Sequence, residues 1–191
     1  MKYYKKIEGE RIYLSPLCLE DAECYVAWMN DPEITINTHG AARVMNIEAE
    51  REWILNTLKN QEYTFAIVAK ENDTLIGNCG LMHVNTIDQT ATVGIFIGME
   101  EYRSHGYGAE ALNIILSYGF NVLHLHSIDL TVYDFNTRAI RCYEKVGFLE
   151  CGRRHECYYY HGKRYDRITM EIFEKDWREK NESSETNGRI G

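Results

Sequence analysis

The spacing of apolar residues changes along the chain, and each change marks an element. Arg11-Ile12-Tyr13-Leu14 alternates and predicts a first strand. Over residues 19–29 the period lengthens. Ala22, Tyr25, Val26 and Met29 share one face of an amphipathic helix, which Asn30-Asp31-Pro32 ends. Residues 33–45 read as a polar loop containing His39-Gly40. Asn46 then caps a second helix with Ile47, Ile54 and Leu58 inward and Glu48 and Glu50 near its positive end. Residues 63–70 and 74–84 predict two strands joined through Glu71-Asn72-Asp73. The run Val93-Gly94-Ile95-Phe96-Ile97 predicts a buried strand. From Gly108 onward Ala111, Leu112, Ile115, Leu116 and Gly119 fall at helical spacing. Residues 127–133 set Ile128, Leu130 and Val132 against Asp129, Thr131 and Tyr133. Asn136 caps a short helix that Gly147 stops. Residues 148–160 and 163–173 predict two long strands around His161-Gly162, the second with Ile168, Met170 and Ile172 on one face. This order predicts an α/β class, a mixed sheet with helices on both faces. It reads as one domain over residues 1–178, followed by a polar tail over 179–191 expected to be disordered.

Composition narrows the function. A chain of 191 residues is long enough for a real core. The net charge of −8 argues against a nucleic-acid surface and suits a cationic acceptor through steering. No apolar run approaches the ~20 residues that span a bilayer, so no membrane is expected. Met1-Lys2-Tyr3-Tyr4-Lys5-Lys6 has basic residues without an apolar core behind them, unlike a signal peptide. Six cysteines without C-x-x-C spacing read as reduced thiols of a cytoplasmic protein. His124-Leu125-His126 has no third ligand in register, so no metal is expected. Long C-terminal strands and fourteen tyrosines would suit a homodimer.

Two stretches carry chemistry. Between the strand over 93–97 and the helix after it lies Arg103-x-x-Gly106-x-Gly108. Glycines allow close backbone approach, and the first turn of a helix offers unpaired N–H groups and partial positive charge. That is an anion site suited to phosphate. The same spacing also suits a plain strand-to-helix connection. It is neither a Walker A loop, lacking Gly-Lys-Ser/Thr, nor the dinucleotide fingerprint, lacking the third glycine. The second stretch is Asn136-x-x-Ala139-Ile140-x-x-Tyr143-x-Lys145-x-Gly147-Phe148.

Together these stretches resemble the GNAT superfamily of acetyl-CoA-dependent N-acyltransferases. Residues 147–166 look like the branch that holds ribosomal-protein alanine and spermidine N-acetyltransferases. The resemblance implies a GNAT-like α/β (α+β) fold, with a mixed, mostly antiparallel seven-stranded sheet. Its two central parallel strands, ending near Gly98 and Tyr133, would splay to admit the pantetheine arm. It implies acetyl-CoA as co-substrate, held at Arg103, Ser104, His105, Gly106, Tyr107 and Gly108. Main-chain groups at Phe96 and Ile97, and Asn136, Ala139 and Tyr143 on the later helix, would complete that site. The reaction would be direct attack of a primary amine on the acetyl thioester in a ternary complex.

Tyr143 follows Asn136 by seven residues, two helical turns, so both face the same way. The resemblance makes it the donor to the leaving sulfur; a packing tyrosine is the plain alternative. Many relatives carry Glu where this chain has Thr92, which cannot act as a base. Glu33, His39, His83 and Glu171 are the candidates for that task or for holding the acceptor. An α-amine near pKa ~7.7 needs less help than an alkyl amine, which favours a protein N-terminus or amino sugar over a polyamine. The reading from another class is an idle acyl-CoA-binding or partner-binding module, which the absence of a carboxylate at Thr92 would suit.

Overall fold

The computed structural model describes residues 2–38 and 42–188. In chain order it contains β1 (Ile7–Glu8), β2 (Ile12–Pro16), α1 (Ala22–Met29), α2 (Pro32–Thr35), α3 (Ile47–Lys59), β3 (Tyr63–Ala69), β4 (Thr74–Asn85) and β5 (Thr90–Ile97). Then come α4 (Tyr107–Asn121), β6 (Ser127–Tyr133), α5 (Thr137–Val146), β7 (Leu149–Tyr160), β8 (Lys163–Phe173) and α6 (Glu174–Gly188). The hydrogen-bonded strand order is β1-β2-β3-β4-β5-β6-β8-β7, eight strands rather than seven among the described residues. The addition is β1. Its two residues pair with Tyr13 and Leu14, too short a run to leave a period in the sequence. Among the described residues the parallel pair is β5 and β6, through Thr90↔Ser127, Ala91↔Ile128 and Thr92↔Asp129, and there the ladder ends. No helix of the described residues is long and apolar enough to cross a membrane.

The chain divides into two compact units, Met1–Met82 with Val93–Ile115, and His83–Thr92 with Leu116–Gly191. The core of the first gathers Tyr13, Leu17, Ala22, Tyr25, Ile54, Ala66, Val68 and Leu75, with Trp28, Trp53 and Phe96 packed at its margin. Asn46 caps α3 as its sequence position predicts, its side chain accepting from the Ala49 N–H at 2.9 Å. The buried face of α3 differs from the expected one. Glu50, Ile54 and Thr57 are buried and Leu58 is 40% exposed. Glu50, Trp53, Ile54 and Thr57 follow the i, i+3, i+4, i+7 stripe of a helix face, and Leu58 falls just outside it. Burial raises the Glu50 carboxyl above its ordinary value. The stretch read as loop after Asp31 begins with α2. The Asp31 carboxylate accepts from the Glu33 N–H at 2.9 Å, and Pro32 stands at the first helical position.

In the second unit, Ile128, Leu130 and Val132 of β6 lie opposite Ile172, Met170 and Ile168 of β8, all buried. Alternation put these residues on one face, and antiparallel register brings them together as cross-strand pairs. The polar segment after Glu179 continues α6, whose Trp177 packs on Phe120 at 5.5 Å. Arg178 pairs with Glu174 and donates to Asn121 at 2.8 Å. These anchors act near the start of α6, where Trp177 is the apolar residue of that helix.

Candidate active site

In the first unit, β5 leads through a 3₁₀ turn over Glu100–Tyr102 into the glycine turn and α4. Ser104, His105 and Gly106 are exposed. Gly106 has φ +87° and Ser104 φ +65°, so the turn uses the left-handed region twice, once at a residue with a Cβ. A Cβ on Gly106 would lie 3.2 Å from Arg11 Nη2. A Cβ on Gly108 would meet only Ile97, at 3.9 Å, so the space over this position is open. The result is an exposed run of backbone entering the positive end of a fifteen-residue helix.

Two arginines hold the turn in shape. Arg103 donates from Nε to the Ile97 carbonyl at 3.1 Å and from Nη2 to the Gly98 carbonyl at 2.6 Å. Its Nη1 reaches Glu33 at 3.4 Å, and Asp31 lies 4.0 Å from Nη2. Arg11 donates from Nη1 to the His105 carbonyl at 2.9 Å and from Nε to Glu110 at 2.9 Å. The Glu110 carboxylate also accepts the Arg11 main-chain N–H at 2.7 Å, and the guanidinium lies 4.4 Å from the centre of the Tyr107 ring. Arg11 carried no sequence signal, because only tertiary structure brings β2 beside the turn. Upstream, a Cβ on Gly77 would meet the Phe96 carbonyl at 2.1 Å, so Phe96 faces β4 through its main chain, and Ile97 offers its carbonyl to Arg103.

In the second unit, Asn136 caps α5. Its Oδ1 accepts from the Ala139 N–H at 3.2 Å, and Gly147, at φ +123°, stops the helix with its N–H on the Tyr143 carbonyl at 2.9 Å. Tyr143 is packed edge-on to Phe148, with ring centres 6.0 Å apart. Burial, with a smaller contribution from Cys142, pushes its phenol up to about 12.

The candidates for base or acceptor contact are divided between the two units. Glu33 is 76% exposed and pairs with Arg103 in the first unit. His83 is exposed on β4 at φ +51°, a kink within the strand. His39 lies outside the described residues. Glu171 lies opposite Asp129 across β6 and β8, and Asp129 is in register with Thr92. Thr92, Asp129 and Glu171 therefore form one row across three strands. In-register neighbours share a face of the sheet, so the row sets two carboxylates beside the threonine. Asp129 read in the sequence as an ordinary outward residue of an alternating strand; its register with Thr92 is a product of strand pairing.

A family model described as "Acetyltransferase (GNAT) domain" matches residues 11–149, which includes the glycine turn and all of α5. The chain belongs to the GNAT acetyltransferase family. As a GNAT enzyme it is an acyltransferase, and its co-substrate is acetyl-CoA. It is similar to the uncharacterized N-acetyltransferase p20 of Bacillus licheniformis, 29% identical over 147 residues, 75% of this chain and 82% of that protein. It is similar also to the spermidine N(1)-acetyltransferase of Vibrio cholerae, 32% identical over 123 residues, 64% of this chain and 70% of that protein. Among solved structures, the crystal structure of spermidine N-acetyltransferase from Vibrio cholerae in complex with CoA and spermine matches with a TM-score of 0.79 at 26% identity. That match covers 87% of this chain and 98% of the other. The GNAT match begins at Arg11, the residue that clamps the turn.

Proposed function

We propose that this GNAT enzyme transfers the acetyl group of acetyl-CoA to a primary amine by direct attack within a ternary complex. The observation that carries this reading is the exposed Ser104-His105-Gly106 turn at the head of α4, left-handed at Ser104 and Gly106. Its N–H groups, with those of the first turn of α4 at Tyr107 and Gly108, hold the pyrophosphate, and the open space over Gly108 admits it. Arg103 and Arg11 serve this site through the carbonyls they bind, turning them inward so that the N–H groups are left for the ligand. Since the main chain of Phe96 faces β4, pairing with the pantetheine falls to the Ile97 N–H. Acetyl-CoA supplies the activated acetyl group.

Tyr143 is the donor to the leaving sulfur. A phenol raised to about 12 keeps its proton at neutral pH, so it acts as a hydrogen-bond donor that strengthens as charge develops. Asn136 and Ala139 set the start of the helix that carries it. Asp129, in register with Thr92 and beside Glu171, is the carboxylate we assign to take the proton of the incoming ammonium. A carboxylate in that row can relay the proton of an alkylammonium to solvent, so an alkyl amine is admitted as an acceptor beside an α-amine. The similarity to the Vibrio cholerae spermidine enzyme supports adding polyamines to protein N-termini and amino sugars as acceptors. Calorimetric titration with acetyl-CoA, then thiol release with DTNB across spermidine, a peptide with a free N-terminus and glucosamine, tests the reading. Expected are binding below millimolar cofactor and release with at least one amine. Binding without release for every amine would overturn it.

A further inference from the structure

At the end of β6 in the second unit, four rings stand nearly parallel. Tyr133 stacks on Phe135 with centres 5.5 Å apart at 17°, and on Tyr158 at 4.1 Å and 19°. Tyr158 and Tyr160 are 6.1 Å apart at 8°, and Tyr165 meets Phe135 edge-on at 4.7 Å. Tyr133 is buried; Phe135, Tyr158, Tyr160 and Tyr165 are half-buried, so the row has an accessible side. Two polar atoms in this region are buried with no hydrogen-bond partner: the Tyr158 hydroxyl, and Oδ1 of Asp134, the residue between Tyr133 and Phe135. Buried polar groups without partners are costly, so both atoms call for one, and here they stand beside a row of aromatic faces.

We propose that this row, with Asp134 and Tyr158, is the acceptor subsite, and that it takes a primary amine carried on a cationic organic body. The proposal rests on the acetyltransfer reading above. A carboxylate oxygen lacking a donor calls for N–H groups, and an alkylammonium presents three on one nitrogen. Tyrosine and phenylalanine faces attract the same charge through their π-systems and cover the methylenes beside it. The phenol of Tyr158 completes the set as donor or acceptor. Arg167, opposite Tyr133, and Lys163, opposite Tyr160, are the basic residues of β8 paired in register with the row, so the cation is taken at the Asp134 end, where a carboxylate stands. The row runs directly into Asn136, the cap of the helix that carries Tyr143.

The test uses Asp134→Asn and Tyr158→Phe, which keep the volume and the ring, with spermidine and glucosamine as probes at saturating acetyl-CoA. The wild type should favour spermidine by at least tenfold in kcat/KM. Asp134→Asn should raise the KM for spermidine at least tenfold with kcat within about threefold, and Tyr158→Phe should raise it about threefold. Neither variant should change the affinity for acetyl-CoA measured by calorimetry. Turnover of glucosamine with no preference for spermidine would overturn the subsite and leave the acetyltransfer reading standing. Unchanged acceptor KM in both variants, or equal weakening of acetyl-CoA, would overturn it too. Failure of the wild type to bind acetyl-CoA would overturn both readings.

Discussion

The glycine turn at residues 103–108 and the run from Asn136 to Gly147 both meet the co-substrate in the reading above, yet they are built in opposite ways. The turn offers backbone, and two arginines hold the carbonyls around it: Arg103 those of Ile97 and Gly98, and Arg11 that of His105. The second run offers side chains, on a helix whose backbone is closed by a cap at Asn136 and a stop at Gly147. A backbone site is damaged by anything that changes φ, and barely by exchange of an exposed side chain. A side-chain site is damaged by loss of one functional group even when the fold is untouched. Four substitutions separate the two designs.

The largest effect is expected at Tyr143. Tyr143→Phe keeps the ring packed on Phe148 and removes the hydroxyl alone. Turnover should fall ~100-fold, with kcat and kcat/KM falling together and acetyl-CoA affinity staying within a few-fold. Full activity would assign the residue to packing. The raised phenol gives a pH dependence as well. A group whose folded pKa lies above its unfolded value, ~10 for tyrosine, stabilises the fold fully below that value and loses the contribution as pH rises through about 12. Tyr13 and Tyr133, also raised to about 12, act in the same direction. Denaturant midpoints should therefore fall between pH 10 and 12, and fall less in Tyr143→Phe.

Next is Gly106→Val, which places a β-branched residue at φ +87° with its Cβ 3.2 Å from Arg11. Acetyl-CoA should bind about tenfold more weakly by calorimetry. Unchanged affinity in a folded variant would move the phosphates elsewhere. Arg103→Ala then distinguishes a shaping role from a ligand. Loss of the bonds to Ile97 and Gly98 should cost about 1–3 kcal/mol of stability in urea, with a smaller loss of affinity than Gly106→Val. Greater loss of affinity at unchanged stability would make the guanidinium a phosphate contact. The smallest effect belongs to Ser104→Gly. Relief of the left-handed φ of +65°, less the chain entropy of glycine, should raise stability by about 0.5 kcal/mol, read as a higher denaturation midpoint with turnover retained.

Local interactions made much of this molecule legible. Asn46 and Asn136 cap helices because the Asn side chain reaches an N–H three residues on. Ile168, Met170 and Ile172 line one face because strand side chains alternate. Two motifs in the right order pointed to the GNAT family, which the match over residues 11–149 shows. The same local reasoning missed the inward face of α3. Three apolar residues suggested it, but packing buried Glu50 and Thr57 and left Leu58 exposed.

What the sequence determined by itself was periodicity, caps, stops and the glycine turn, since each depends on residues within one or two turns of chain. Only the tertiary structure decided which distant residues serve them. Arg11 reaches His105 across 94 positions, and Asp129 stands beside Thr92 through parallel register. Tyr158 stacks on Tyr133 through strand pairing that runs by way of β8. Such partnerships are set by how strands pair and helices pack, and long-range pairing leaves no period in the order of residues along one chain.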